Sequence, residues 1–334
     1  MNRLRFFLKR LLRMDFGKMI GTARSLSKKT GKPFLWLLFD MTRCAIKYNA
    51  GYMDYKIAEF YRLDARQRET QITRGISNRI VNLMNDKQDW HFFDNKNEFN
   101  TLFGKYLGRD WLDLRAVDTA GLAKWLENRG DIICKPMDGS SGQGIEKFTP
   151  DVFADTRAFE NMLRAKNLML LEDCVVQHPE MSRLCPTSVN TIRIATLLGD
   201  KKQGIVYAYL RIGNGKVMDN VDCGGMAAPV DLETGRLASI GADKAGNRYQ
   251  FHPLTGTEIP GFEIPHFQKA ARMCLEAAQI KPRVRFVAWD VAITRDGPVF
   301  IEGNSFPSHA IPQFAAHFPD GIGILPRFRE FIDF

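Results

Sequence analysis

The chain has 334 residues, of which 45% are hydrophobic and 25% charged, with a formal net charge of +9. That length buries a sizeable core in one large domain or two smaller ones, and the composition is that of a globular chain rather than a fibrous or low-complexity one. Residues 1–50 hold twelve Lys/Arg and two acids, a charge of +10, whereas the remaining 284 residues hold 35 bases and 36 acids, a charge of −1. A basic groove through the body is therefore excluded, and no nucleic-acid partner is expected.

The six cysteines (Cys44, Cys134, Cys174, Cys185, Cys223, Cys274) are scattered without a C-x-x-C pair. They are expected to be reduced thiols of a cytoplasmic chain without a zinc site. Lys9, Arg10 and Arg13 interrupt the first apolar residues, so a signal peptide is not expected. No run approaches the ~18 apolar residues of a spanning helix.

Residues 3–20 place Leu4, Phe7, Leu8, Leu11, Leu12, Phe16, Met19 and Ile20 at helical spacing, with bases filling much of the rest. That pattern predicts a helix docked on the protein's own core or a partner, or one lying on anionic lipid. Residues 34–48 and 52–84 also predict helices, with a loop near 49–51. Gly, Asn and Asp thicken around 94–110. From 131 onward short strands are predicted: 131–135, 167–176, 188–198 and 204–212, the last two joined by a Gly-Asp-Lys-Lys-Gln-Gly turn. Residues 267–279 predict an amphipathic helix, followed by strands at 284–294 and 298–304. There are no internal repeats.

The last two strands carry the most chemical information. Arg295-Asp296-Gly297 predicts a three-residue turn with glycine at the position of positive φ. Centring the hairpin on Asp296 sets Asp290 opposite Glu302, with Asn304 on the same face. Val287, Trp289, Val291, Ile293, Val299 and Ile301 are expected on the other face. Two opposed carboxylates repel one another unless a cation lies between them. Together with an amide they make a set of hard oxygen donors suited to Mg²⁺.

This D…E-x-N arrangement resembles the magnesium-binding end of the ATP-grasp superfamily, as in D-alanine–D-alanine ligases. The following Asn304-Ser-Phe-Pro-Ser308-His309 resembles the loop that touches substrate there. Upstream, Lys135-Pro-Met-Asp-Gly139-Ser140-Ser141-Gly142-Gln143-Gly144 is similar to the superfamily's phosphate element. The lysine serves there as a point charge, and the glycines let backbone N–H groups approach phosphate oxygens. It is not a Walker loop, which needs Gly-Lys-Ser/Thr at its end. Leu170-Leu-Glu172-Asp173-Cys-Val175 resembles the adenine hinge, with Glu180 in the place of the ribose acid, and Lys96 stands where the first phosphate lysine is expected.

Arg193, a cation on an otherwise apolar strand face, calls for an anionic partner and is assigned to the γ-phosphate or the acyl-phosphate transition state, with a structural salt bridge as the alternative. The chain departs from D-alanine ligases in having Ala288 where an Arg precedes the metal Asp, which leaves that work to Arg193 or Arg285. The segments around 54–61, 66–73 and 188–193 resemble the sugar-transfer-associated ATP-grasp proteins, related to α-L-glutamate ligases and linked with polysaccharide or cell-envelope synthesis.

The resemblance implies an α+β, ATP-grasp fold, two α+β subdomains clasping ATP, behind a helical N-terminal region. The expected parts are a basic amphipathic leader (1–50), a helical region (51–128), a small subdomain with glycine loop and hinge (129–187) and a C-terminal subdomain with the metal hairpin (188–330). It also implies ATP and Mg²⁺ as cofactors, and an acid and an amine as substrates, an amino acid or a sugar among the candidates. Arg193 or Arg211 would hold a substrate carboxylate, and Ser308 and His309 would line the acceptor pocket. Contact of residues 1–30 with the inner membrane face or a glycosyltransferase, and a homodimer, are compatible with this reading. The competing expectations are a phosphotransferase to a hydroxyl on the same scaffold, and a non-catalytic nucleotide-binding scaffold.

Overall fold

The computed structural model describes residues 15–137, 144–216 and 219–334. Most of the expected first helix, up to residue 14, lies outside them, as do loop residues Gly139, Ser140, Ser141 and Gly142. The chain divides into two compact units, Met1–Ile80 with Ser308–Phe334, and Val81–Pro307.

In the first unit, Asp15 caps the helix Phe16–Thr30 by accepting from the Lys18 N–H at 3.0 Å. Gly31 ends it in the left-handed region, φ 72°, where a Cβ would be strained. Met19, Ala23 and Leu26 pack against Leu37, Met41 and Cys44 of the next helix, Phe34–Lys47, together with Tyr55 and Phe60.

The continuous helix expected over 52–84 is instead four pieces, Tyr52–Ile57, Phe60–Arg62, Ala65–Arg68 and Arg74–Met84. Glu59 adopts positive φ (49°), and Asp64 opens a new capping box with Gln67. The break satisfies a buried acid. It brings Arg68 onto Asp40 in a two-pronged pair (Nη1–Oδ1 2.8 Å, Nη2–Oδ2 2.7 Å), and Tyr55 donates to the same carboxylate at 2.8 Å. Arg68 also donates to the Phe60 carbonyl, so no donor of this pair is left facing apolar surroundings. A local periodicity extends across Glu59, but the Asp40 carboxylate overrides it.

The second unit holds two antiparallel sheets. Strands β1 (Trp111–Asp113), β2 (Ile132–Lys135), β3 (Glu146–Phe148) and β4 (Leu170–Asp173) form the smaller one in the order β1-β4-β2-β3. Its first strand comes from within the stretch read as helical. Ile132, Cys134 and Leu171 pack with Leu122, Phe159 and Leu163 from the helices Thr119–Leu126 and Thr156–Ala165. Because side chains alternate along a strand, Lys135 and Glu172 share the opposite face.

Strands β5 (Ile192–Leu198), β6 (Gln203–Ile212), β7 (Met226–Pro229), β8 (Gly241–Ala242), β9 (Arg248–Tyr249), β10 (Phe286–Ile293) and β11 (Pro298–Asn304) form the larger sheet, ordered β11-β10-β5-β6-β7-β8-β9. Ile192, Ile194, Leu210, Val287, Trp289 and Phe300 line one face against the helix Phe267–Ala278. Trp289 stacks on Phe300, with centroids 4.8 Å apart, and donates from Nε1 to Thr196 Oγ1 at 3.0 Å.

The β10–β11 hairpin reaches the expected alignment by an unexpected route. Thr294 and Gly297 exchange backbone hydrogen bonds around a two-residue loop, and Ile293 pairs with Pro298. Continued regularly, that register would set Ile301 opposite Asp290. A bulge between Asp290 and Val291 takes up one extra residue, so Asp290 faces Glu302 and Val291 faces Phe300. Phe300 therefore fills the apolar face where Val299 and Ile301 were expected.

Arg68→Ala would leave a buried carboxylate without its cation, and is expected to cost about 3–5 kcal/mol. Asp40→Ala/Arg68→Ala should cost clearly less than the two single substitutions added together, as read from urea unfolding midpoints. Additive losses would show that the pair is not coupled.

Candidate functional site

The polar face of the larger sheet carries a row of charged residues set by strand register. Glu302 on β11 opposes Asp290 on β10, Asp290 opposes Arg193 on β5, and Arg193 opposes Tyr209 on β6. Arg193 grips Asp290 with two parallel bonds, Nε–Oδ1 and Nη2–Oδ2, both 2.6 Å, and lies 3.8 Å from Glu302 Oε1. The partner that Arg193 required is thus Asp290, reached across a strand pair and 97 residues along the chain. Arg211, one strand further, places Nη2 2.8 Å from Asp290 Oδ2 and donates to Thr191 Oγ1. Thr191 in turn donates through its N–H and hydroxyl to Asp219 Oδ2 (2.9 and 2.5 Å).

Asp290 has no exposed surface. Burial alone would raise its carboxyl, but Arg193 and Arg211 outweigh it and hold the group below the usual carboxylate range. Glu302 goes the other way: the protein packed around its half-exposed side chain, and then the facing negative charge of Asp290, raise its carboxyl. The two acids therefore sit in unlike environments although they face one another. Arg285, the other candidate for the transition-state cation, bonds the Leu198 carbonyl (2.6 Å) and Asp200 (2.5 Å) instead. Arg193 is the arginine held at the carboxylates.

The oxygen donors suit a hard divalent cation, which would have to share the Asp290 oxygens with Arg193 and Arg211. The Glu302 side chain keeps 41% of its surface exposed. Asn304 commits its Nδ2 to the Ala288 carbonyl at 3.3 Å, which leaves its amide oxygen as a donor atom. Among the described residues there is no cluster of three or more His, Cys, Asp or Glu suited to a metal. A site here would rest on two carboxylates and an amide.

A second ionic cluster lies on the smaller sheet. Glu172 is buried and accepts from Lys135 Nζ at 2.6 Å, Arg109 Nε at 3.0 Å and Asn100 Nδ2 at 2.8 Å. Burial would raise this carboxyl, but Lys135 and then Arg109 hold it far below the ordinary range. Arg109 also donates through Nη1 to the Phe300 carbonyl of β11 at 2.5 Å, so it ties the two sheets together two residues from Glu302. Its Nη2 is buried with no hydrogen-bond partner among the described residues, a donor left over for an anion. Lys96, at the start of the helix Lys96–Leu102, reaches the Met137 carbonyl at 3.4 Å, beside the glycine-rich segment. Gly144, the described end of that loop, has φ +73°, in the region that favours glycine.

Asp173 pairs with Arg129 at 2.6 Å. The peptide groups of Val175 and Val176 make no hydrogen bond among the described residues, leaving an open backbone edge just beyond β4. Glu180 sits in the exposed first turn of the helix Pro179–Leu184 and pairs with Arg183 at 2.8 Å. Ser308 and His309 belong to the first unit, where His309 Nε2 lies 2.7 Å from Asp54 Oδ1. Asp54 Oδ2 accepts from the Gly51 and Arg74 N–H groups (2.7 and 3.0 Å). Sequence reading missed Asn100, Arg109, Thr191 and Asp219. Thr191 lies within the 188–193 segment, and the other three belong to no spaced motif. For Arg109 the one local signal is a charged Gly-Arg-Asp triplet immediately before a strand.

Because the folded-state carboxyl of Glu172 is depressed, its pairing contributes stability fully above the unfolded value, about pH 4.3, and loses it progressively as pH falls below that. Glu172→Gln is therefore expected to lower the urea midpoint strongly at pH 7 and by less near pH 3, the difference shrinking further as pH falls toward the depressed folded-state value. A constant gap at both pH values would show that the carboxylate stays uncharged in the folded protein.

No curated protein matches this chain. Among solved structures it is similar to a D-cycloserine synthetase, DcsG, at 10% identity, covering 84% of this chain and 82% of that one with a TM-score of 0.42. It is also similar to the D-alanine–D-alanine ligase of Bacillus anthracis at 13% identity, covering 80% and 76%, with a TM-score of 0.42. A family described as sugar-transfer associated ATP-grasp matches residues 76–331, a span that takes in both sheets and both ionic clusters. The chain belongs to the sugar-transfer-associated ATP-grasp family.

Proposed function

We propose that this protein is an ATP-dependent carboxylate–amine ligase that works through an acyl phosphate, in the synthesis of a polysaccharide, cell-envelope component or amino-acid conjugate. The observation that carries the reading is the row Glu302–Asp290–Arg193, two facing carboxylates of which one is clamped by an arginine, on the polar face of one sheet. ATP would lie against the smaller sheet. Its adenine edge would meet the open backbone at Val175, its ribose Glu180, and its phosphates Lys135, Lys96 and the glycine-rich segment. Glu172, with its oxygens taken by three donors, acts by holding the Lys135 ammonium in place. Asp290, Glu302 and Asn304 would hold Mg²⁺, which would neutralise phosphate charge.

In the first step an oxygen of the acid substrate attacks the γ-phosphorus, the bond to the β-bridging oxygen breaks and ADP leaves. Arg193 is assigned to the charge spreading over the transferred group. The neutral amine then attacks the acyl carbon, phosphate departs and the nitrogen loses its proton. Arg211 is assigned to a carboxylate of the substrate, and Ser308 and His309 to the acceptor. Asp54 holds His309 Nε2, which fixes the imidazole's orientation.

The test is ADP release by purified protein with Mg²⁺-ATP, across a panel of amino acids and of amino and uronic sugars, with hydroxylamine as the trap. A hydroxamate that forms with one acid establishes carboxylate activation. Arg193→Ala is expected to lower its rate by about a hundredfold or more, and Glu302→Ala to abolish it. ADP without hydroxamate would instead indicate transfer to a hydroxyl. Nucleotide binding with no ADP under any condition would sink the ligase reading in favour of a scaffold.

A further inference from the structure

The helix Phe34–Lys47 is apolar on two sides. Leu37, Met41 and Cys44 face the core with the buried Asp40. Pointing the other way are Leu35, 76% exposed, Phe39, 71%, and Ile46, 57%, with Trp36, 41%, beside them. At about 100° per residue, the first three fall within roughly 40° of one another around the helix, a single stripe. Singly exposed apolar residues need no explanation, but large ones grouped on one surface mark an interaction site.

Cations frame the stripe. Lys32 Nζ stands 4.8 Å above the Trp36 ring, and the exposed Arg43 lies on the same outer side. Lys28 and Lys29 close the preceding helix. Residues 15–50 contain two acids: Asp40 is buried against Arg68, and Asp15 is paired with Lys18 at 3.2 Å. An approaching anionic surface therefore meets apolar side chains ringed by bases, with no unpaired acid to repel it.

We propose that this face rests on an anionic lipid bilayer. Leu35, Phe39 and Ile46 enter the boundary between headgroups and acyl chains, and Trp36 takes the interfacial position that its amphipathic ring favours. Lys28, Lys29, Lys32 and Arg43 pair with lipid phosphates, their aliphatic stems covering apolar surface on the way. A protruding helix face suits a planar interface, and the concentration of +10 in residues 1–50 of a chain whose remainder is near neutral selects lipid of opposite sign. No helix among the described residues is long and apolar enough to cross the bilayer, so the contact is peripheral.

The experiment is co-sedimentation of the full chain with phosphatidylglycerol–phosphatidylcholine vesicles and with pure phosphatidylcholine vesicles. Binding to the former alone, weakened by salt, is expected. Leu35→Ser/Phe39→Ser/Ile46→Ser should weaken it by roughly a hundredfold or more. The melting temperature should stay unchanged, since these side chains are exposed in the lipid-free fold. Brominated acyl chains should quench a fluorescence component that Trp36→Phe removes. Equal binding by the parent and the triple variant, or binding by neither, overturns the proposal. So does a lipid-free Trp36 shielded from acrylamide, which would mean that the chain covers the stripe itself, or a lipid-free dimer that the triple variant dissociates, which would make the face a contact between copies.

Discussion

An aspartate with no exposed surface sets the terms for the second unit. Asp290 can remain ionised there because Arg193 meets it with two parallel bonds and Arg211 with a third. Removing either arginine would leave charge in a low-dielectric interior, so the three residues stand or fall together. Satisfying them fixes the registers of β10 with β5 and of β5 with β6. A slip of one residue would send every one of these side chains into the apolar face packed against Phe267–Ala278. Glu302 joins the row at longer range, 3.8 Å from the Arg193 guanidinium, so the two neighbouring acids are held unequally.

The smaller sheet repeats the device with a different outcome. Glu172 is surrounded by Lys135, Arg109 and Asn100, and the net positive charge of that cluster lies on the face away from the covering helices. The two ionic clusters are joined by a single guanidinium, since Arg109 donates to both Glu172 and the Phe300 carbonyl. The first unit uses the same chemistry for a structural end, closing an Arg–Asp–Tyr cluster that interrupts what would otherwise be a long helix.

Much of the candidate site was legible in the amino-acid order because strand chemistry has a short period. Apolar residues on either side of a turn signal set Asp290, Glu302 and Asn304 on one face, and the glycine-rich run after Lys135 marks a loop leaving a strand. Yet the alignment of Asp290 with Glu302 was reached through two offsetting features, a loop one residue tighter than expected and a bulge that takes up the difference. Neither leaves a mark in local composition, since a bulge is fixed by what the neighbouring strands and Trp289 require. Short strands such as β1 and β3 carry too few residues to show a period at all.

By itself, then, the sequence determined the element types wherever periodicity ran long enough, the concentration of positive charge near its start, and which groups are proposed to meet a nucleotide and its metal. The tertiary structure decided which of those groups are paired. Arg193 and Asp290 are 97 positions apart, and Lys135 and Glu172 are 37 apart. Such pairs form because buried charges must find partners of opposite sign wherever the fold brings them. That requirement acts through space and not along the chain, so Arg109 and Asp219 became visible only once the sheets were assembled.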